Sequence, residues 1–296
     1  MSRPSNRIAL VTALAAILSC ALAAIAVAAT IDGTPRADVL RGTAEADAIT
    51  AHGGRDFVRA FAGDDSIDGG RGSDLLFGNA GNDTVTGAQG RDFIVGNDGN
   101  DALSGNEGRD RIFAGKGDDT VNGGGGAQVA GPCWHQRCWP RIGDRLHGGA
   151  GNDTVNGENG FDRISGGIGD DVLSGGNGHD LLFANIGRDN LSGGGGNDVL
   201  WAVARVDVTA PGDPDGDTLD GGDGNDRFRV RDGEVDRISC GEGTFDMVRA
   251  DQYDVIVDAT AENANGSCEI VRRNSKPDSD GPESETEAPA EDKRVG

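Results

Sequence analysis

Residues 69–122 read GGRGSDLLF (Gly69–Phe77), GNAGNDTVT (Gly78–Thr86), GAQGRDFIV (Gly87–Val95), GNDGNDALS (Gly96–Ser104), GNEGRDRIF (Gly105–Phe113) and AGKGDDTVN (Ala114–Asn122). The period is nine residues, without slippage. In all six copies position 4 is Gly, position 6 is Asp and position 8 is Leu, Val or Ile. A chain this self-similar is read by its repeat before anything else. Glycine at short intervals permits dihedrals that other residues resist, so positions 1 to 5 read as a tight turn. Positions 7 to 9, centred on one apolar side chain, read as a minimal strand.

The Asp stands where turn becomes strand, and Glu is almost absent from that place. A short, stiff carboxylate beside free backbone carbonyls suits a hard cation, and calcium takes about six to eight such oxygens. Folding energetics point the same way. One buried aliphatic side chain per nine residues offsets little of the entropy lost in ordering them. Carboxylates stacked at strand spacing also repel one another. The repeat is therefore expected to fold only when a cation turns the Asp column into ligands.

These residues resemble the hemolysin-type calcium-binding, or repeats-in-toxin, nonapeptide, GGxGxDxUx with U apolar. GGRGSDLLF (Gly69–Phe77) and GGNGHDLLF (Gly175–Phe183) match it at every defined position. The resemblance implies an all-β fold, a parallel β-roll in which two nonapeptides form one coil. Position 8 would face inward and calcium would sit between successive turns. It implies ligands from backbone carbonyls of the Gly-rich turn and from position-6 carboxylates. In the first block these are Asp56, Asp65, Asp74, Asp83, Asp92, Asp101, Asp110 and Asp119. In the second they are Asp153, Asp162, Asp171, Asp180, Asp189, Asp198 and Asp226.

The composition fits. The 296 residues carry a formal net charge of −23, with 51 Gly and 4% aromatics. Such acidity disfavours nucleic acid as a partner and favours cations. The glycine content argues against a thick core and by itself would permit a disordered polymer. The strict period argues against that, and a period of nine excludes collagen.

Arg3 and Arg7 precede an apolar run, Ile8 to Ala29, that ends in Ala26-Val27-Ala28. Residues 1–29 read as a secretory signal peptide, leaving no membrane span after cleavage. An uncleaved anchor and a lipoprotein site at Cys20 are the alternatives. Residues 30–126 form the first block. Its opening repeats, Gly33 to Thr50, carry Arg36 and Glu45 where position 4 should be Gly. They read as a cap with poor or absent calcium sites. From Asp119 the next Asp is due at 128 but arrives at Asp144, so residues 127–142 are an insert. Sites at this break, Asp119 and Asp153, are expected to lack a stacked neighbour.

The insert holds Cys133, Trp134, His135, Cys138 and Trp139, which suits a binding loop. A zinc site is conceivable there, and a Cys133–Cys138 disulfide is the preferred reading for a secreted chain. The second block covers residues 143–229, with a turn-rich lapse from Ala202 to Gly216. Position 8 is Leu, Val or Ile at all seventeen repeats from Leu40 to Leu200. Residues 230–273 read as closing coils and a cap, clamped by Cys240 and Cys268, the most local of three possible connectivities. Residues 274–296 read as a disordered acidic tail.

The chain has no His-Glu-x-x-His, Gly-x-Ser-x-Gly or phosphate-binding loop. No catalytic activity is expected, although paired Asp residues could mimic a glycosidase dyad on a polysaccharide-degrading β-helix. The expected function is an extracellular calcium-binding structural or adhesive module that meets a cell surface or extracellular polymer. A calcium buffer or switch is the alternative.

Overall fold

A computed structural model describes residues 28–126, 143–202, 214, 216–257 and 266–273. Among these residues there are 25 strands and no helix. Every pairing between strands is parallel, in two sheets of 13 and 12 strands. Consecutive strands alternate between the sheets, except that Arg71–Gly72 prolongs Ser66–Asp68 in the larger one. Each nine-residue repeat thus supplies one strand and one turn, and a coil closes after two repeats. The fold is a parallel β-roll, as the family resemblance implied.

The register follows the repeat number. Leu76, Ile94, Ile112 and Leu146 lie side by side in one sheet. Val85, Leu103, Val121 and Val155 do so in the other. Because side chains alternate across a strand, position 8 faces the interior while positions 7 and 9 face out. All seventeen position-8 residues from Leu40 to Leu200 are at most 3% exposed. Where position 1 is Ala instead of Gly, as at Ala51, Ala60, Ala114 and Ala184, that methyl is also fully buried. The core is therefore one aliphatic residue deep on each side. On the outer face of the smaller sheet the rings of Phe57, Phe77, Phe93, Phe113 and His147 form a row, with successive centroids 5.6 to 6.2 Å apart.

The insert does not divide the roll. Arg111–Lys116 pairs directly with Arg145–Ala150, and Thr120–Gly126 with Thr154–Gly160. The two sheets also continue past the regular repeats, through Arg237–Ser239, Met247–Ala250, Val255–Ile256 and Ile270–Arg273. Cys240 and Cys268 form a disulfide inside this last part, with Cα atoms 5.3 Å apart. Cys133, Cys138, Trp134, His135 and Trp139 lie outside the described residues, as do Cys20 with the rest of residues 1–27, most of the expected leader at 1–29, and residues 274–296, the expected tail. Among the described residues no helix is long and apolar enough to cross a membrane.

Candidate metal centre

The position-6 Asp residues fall where the chain passes from one sheet to the other, so alternate repeats place them on opposite edges. On each edge they form a continuous ladder. Up to the last member of each, the backbone N–H of a ladder Asp donates to Oδ1 of the Asp in the following coil. On one edge this links Asp47, Asp65, Asp83, Asp101, Asp119, Asp153, Asp171, Asp189, Asp217, Asp236 and Asp254, at 2.7 to 3.3 Å. The other edge runs from Asp56 through Asp74, Asp92, Asp110, Asp144, Asp162, Asp180, Asp198 and Asp226 to Asp246, at 2.6 to 2.9 Å. The backbone carbonyls of these residues accept the ordinary sheet bonds, as from Thr84 to Asp65.

One oxygen of each carboxylate is therefore committed to the fold. In most of them the other has no protein partner. Oδ2 of Asp56, Asp65, Asp74, Asp83, Asp92, Asp101, Asp110, Asp119, Asp144, Asp153, Asp162, Asp171, Asp180, Asp198 and Asp226 is buried without a hydrogen bond. These residues are at most 2% exposed. A buried carboxylate oxygen without a donor is costly, so its persistence along two edges calls for a counter-ion. Position 1 leaves room for that oxygen: a Cβ on Gly78 would lie 2.1 Å from Asp83 Oδ2. At position 4 the turns approach backbone to backbone. A Cβ on Gly90, whose φ is +151°, would lie 1.4 Å from the Gly72 carbonyl oxygen. The donor set is thus all oxygen, buried and anionic, with carbonyls close by. It fits calcium, whose charge would neutralise the ladders when bound.

Burial is the main cause that raises these carboxyl pKa values, with neighbouring ladder carboxylates adding to it. Asp162 is pushed up to about 8, flanked by Asp144 and Asp180. Asp83, Asp92, Asp119, Asp144, Asp171 and Asp198 reach about 7. The bonds from backbone N–H groups pull the other way, because they favour the ionised form.

The two N-terminal repeats use the second carboxylate oxygen differently. Asp47 Oδ2 accepts from the Thr43 N–H at 2.6 Å, and Asp38 Oδ2 from the Thr34 N–H and hydroxyl at 2.6 and 2.8 Å. Threonine at position 2 occupies the oxygen that later repeats leave open. The break at residue 127 has no such effect, contrary to expectation. Asp119 and Asp153 are stacked on each other, and Asp110 on Asp144, because the strands before residue 127 pair in register with those after residue 142.

All fifteen position-6 residues singled out from sequence stand in the two ladders. Asp144 belongs there as well, and Gly143-Asp144 with Leu146 already carried its signal. Asp217, nine residues before Asp226, belongs as well, and so do Asp236 and Asp246; Asp217 to Asp236 spans 19 residues and Asp226 to Asp246 spans 20, so a strict period misses those last two. A second, exposed ladder along one edge uses position 5. Asn82 donates to Asp64, Asn100 to Asn82, Asp118 to Asn100, Asn152 to Asp118 and Asp170 to Asn152. Its sequence signal is an 18-residue alternation at position 5, hidden inside the period of nine.

The family profile of the RTX calcium-binding nonapeptide repeat (4 copies) matches residues 32–60, 59–94, 95–127, 143–164, 165–200 and 211–234, more than half of the chain. No curated protein matches the chain at a significant level.

Proposed function

The chain belongs to the RTX calcium-binding nonapeptide repeat family, and from that premise we propose that it is a secreted, non-catalytic β-roll that serves as a structural or adhesive module outside the cell. The repeats are calcium-binding. The double column of buried carboxylate oxygens left without a protein donor is the main support for this role. Such a column folds fully only where calcium is abundant, which suits an extracellular setting. The ligands we assign are the Oδ2 atoms of the ladder Asp residues with carbonyls of the adjoining turns.

The absence of catalysis from the proposal rests on how the Asp residues are used. Each ladder carboxylate is buried and already holds a backbone N–H, so none is presented to solvent as half of an acid–base pair. The adhesive part draws on the aromatic row along one sheet and on the Trp-bearing insert. Aromatic faces and loops are frequent recognition elements.

Circular dichroism of the chain during a calcium titration tests the binding part. The β signal should grow with calcium and disappear in excess chelator. A signal unchanged by chelator would overturn it. Immunodetection in culture fluid against cells tests secretion, and retention inside cells would refute it. A pull-down on cell-wall material with and without residues 127–142 tests adhesion, which predicts binding lost with the insert.

A further inference from the structure

Past the last regular repeat, the turn Asp232-Gly233-Glu234-Val235-Asp236 departs from the nonapeptide. Counting back from Asp236 at position 6 puts Asp232 at position 2 and Glu234 at position 4. In the regular repeats position 4 is Gly, and position 2 is most often Gly or Asn. The ligating oxygens of Asp232, Glu234 and Asp236 all lie within 4.8 Å of one another. None of the three residues is more than 5% exposed, and Asp236 is fully buried.

Part of each aspartate is already used. Asp236 Oδ1 accepts from the Asp217 N–H at 2.8 Å, and Asp232 Oδ1 from the Glu234 N–H at 3.0 Å. The Oδ2 atoms of Asp232 and Asp236 are buried and have no donor. Beyond the cluster, Asp254 accepts from the Asp236 and Asp251 N–H groups, so it closes that edge and adds negative charge. Arg273 donates to the backbone carbonyls of Asp251 and Asp254, not to their carboxylates. Asp232 and Asp236 each keep a buried carboxylate oxygen without a donor, with Glu234 at contact distance, and a bound cation would offset that cost.

We propose that Asp232, Glu234 and Asp236 form a cation site of a second kind, built from side-chain carboxylates, that binds one calcium ion at the C-terminal end of the roll. The regular repeats offer one position-6 carboxylate per turn. Here one turn offers three, so the site does not depend on a glycine turn repeated above and below it. It would close the roll with an ion where the regular period ends, next to the Cys240–Cys268 bridge.

The test compares the full chain with the double variant Asp232→Asn/Glu234→Gln. Both changes preserve size and polarity and lie outside the ladder. Native mass spectrometry counts bound calcium, and hydrogen exchange follows residues 230–256 with calcium and with chelator. The variant should hold one ion fewer. Its 230–256 segment should no longer gain protection from calcium, while 84–122 still does. Glu234→Gln alone should raise several-fold the calcium concentration needed to protect 230–256. An equal ion count with unchanged protection would mean that protons or Arg231 neutralise the cluster, and would overturn the proposal. A full chain that takes up no calcium anywhere would instead overturn the assignment of the regular repeats.

Discussion

Asp119 donates its backbone N–H to Oδ1 of Asp153 at 2.8 Å, across 34 residues of sequence. Its neighbours along the same edge make the identical bond across 18. The difference is the 16-residue insert, and the strands on either side of it keep their register. Deleting residues 127–142 therefore rejoins Gly126 to Gly143 with position 6 nine residues after Asp119. The shortened chain should keep its β signal and its calcium midpoint within about twofold, measured by circular dichroism. Loss of cooperative folding would show that the insert supports the coils.

A sharper contrast separates Asp92 from Asp47. Both sit in the ladders, but Asp92 leaves Oδ2 open whereas Asp47 gives it to Thr43. Asp92→Asn preserves an oxygen for the ladder bond from Asp74 and removes the charge that a cation needs. It should raise the calcium midpoint about tenfold, corresponding to ~1.4 kcal/mol. Asp92→Ala with Asp110→Ala should raise it further, because ladder bonds are lost too. Asp47→Asn should leave the midpoint unchanged and lower only thermal stability. Equal midpoint shifts for Asp47→Asn and Asp92→Asn would refute the division between capping and binding carboxylates.

Much of this was legible in the chain because each repeat position has a single structural task. The inward column was fixed by Leu, Val or Ile at position 8, and the two-repeat coil followed from the family resemblance. What escaped were features of stacking. Nothing in a single repeat says that Asp92 N–H meets Asp110 Oδ1, which leaves only one carboxylate oxygen open. The continuity from Asp119 to Asp153 was also hidden, because a break in sequence need not be a break in space. Asp236 and Asp246 escaped because one or two extra residues per coil destroy the period while the sheets absorb them in a turn. The Thr34 and Thr43 contacts could have been suspected from position 2, where later repeats carry Gly, Asn or another residue.

Two glycines of neighbouring repeats should respond differently to the same change. Gly90 has φ of +151°, and a Cβ there would lie 1.4 Å from the Gly72 oxygen, which the stacked turns cannot move. Gly90→Ala should cost at least ~1–2 kcal/mol and loosen the coils on both sides. Gly78 faces the side chain of Asp83 instead of backbone, at 2.1 Å, and Ala already occupies the same place at Ala114 with its methyl fully buried. Gly78→Ala should fold normally in calcium and mainly weaken the ion held by Asp83. Thermal melts with and without calcium distinguish the two. Comparable destabilisation of both variants would contradict the stacking described for position 4.

The ladders also set a pH dependence whose sign follows from burial. An ordinary Asp releases its proton near 3.8, whereas Asp162 in the folded roll does so near 8 and Asp92 and Asp198 near 7. Without calcium the folded state holds more protons than the unfolded chain throughout that interval. Its stability is therefore fullest below pH ~4 and declines as pH rises through 6 to 8. A chain kept in chelator should gain β structure when acidified from pH 8 to pH 5. Calcium takes the place of those protons, so its binding should release them, and the calcium midpoint should rise as pH falls over the same range. Proton release measured in weakly buffered solution during the titration checks the coupling directly. A midpoint independent of pH between 5 and 8, with no proton released, would mean that the buried carboxylates are not the groups that meet the ion.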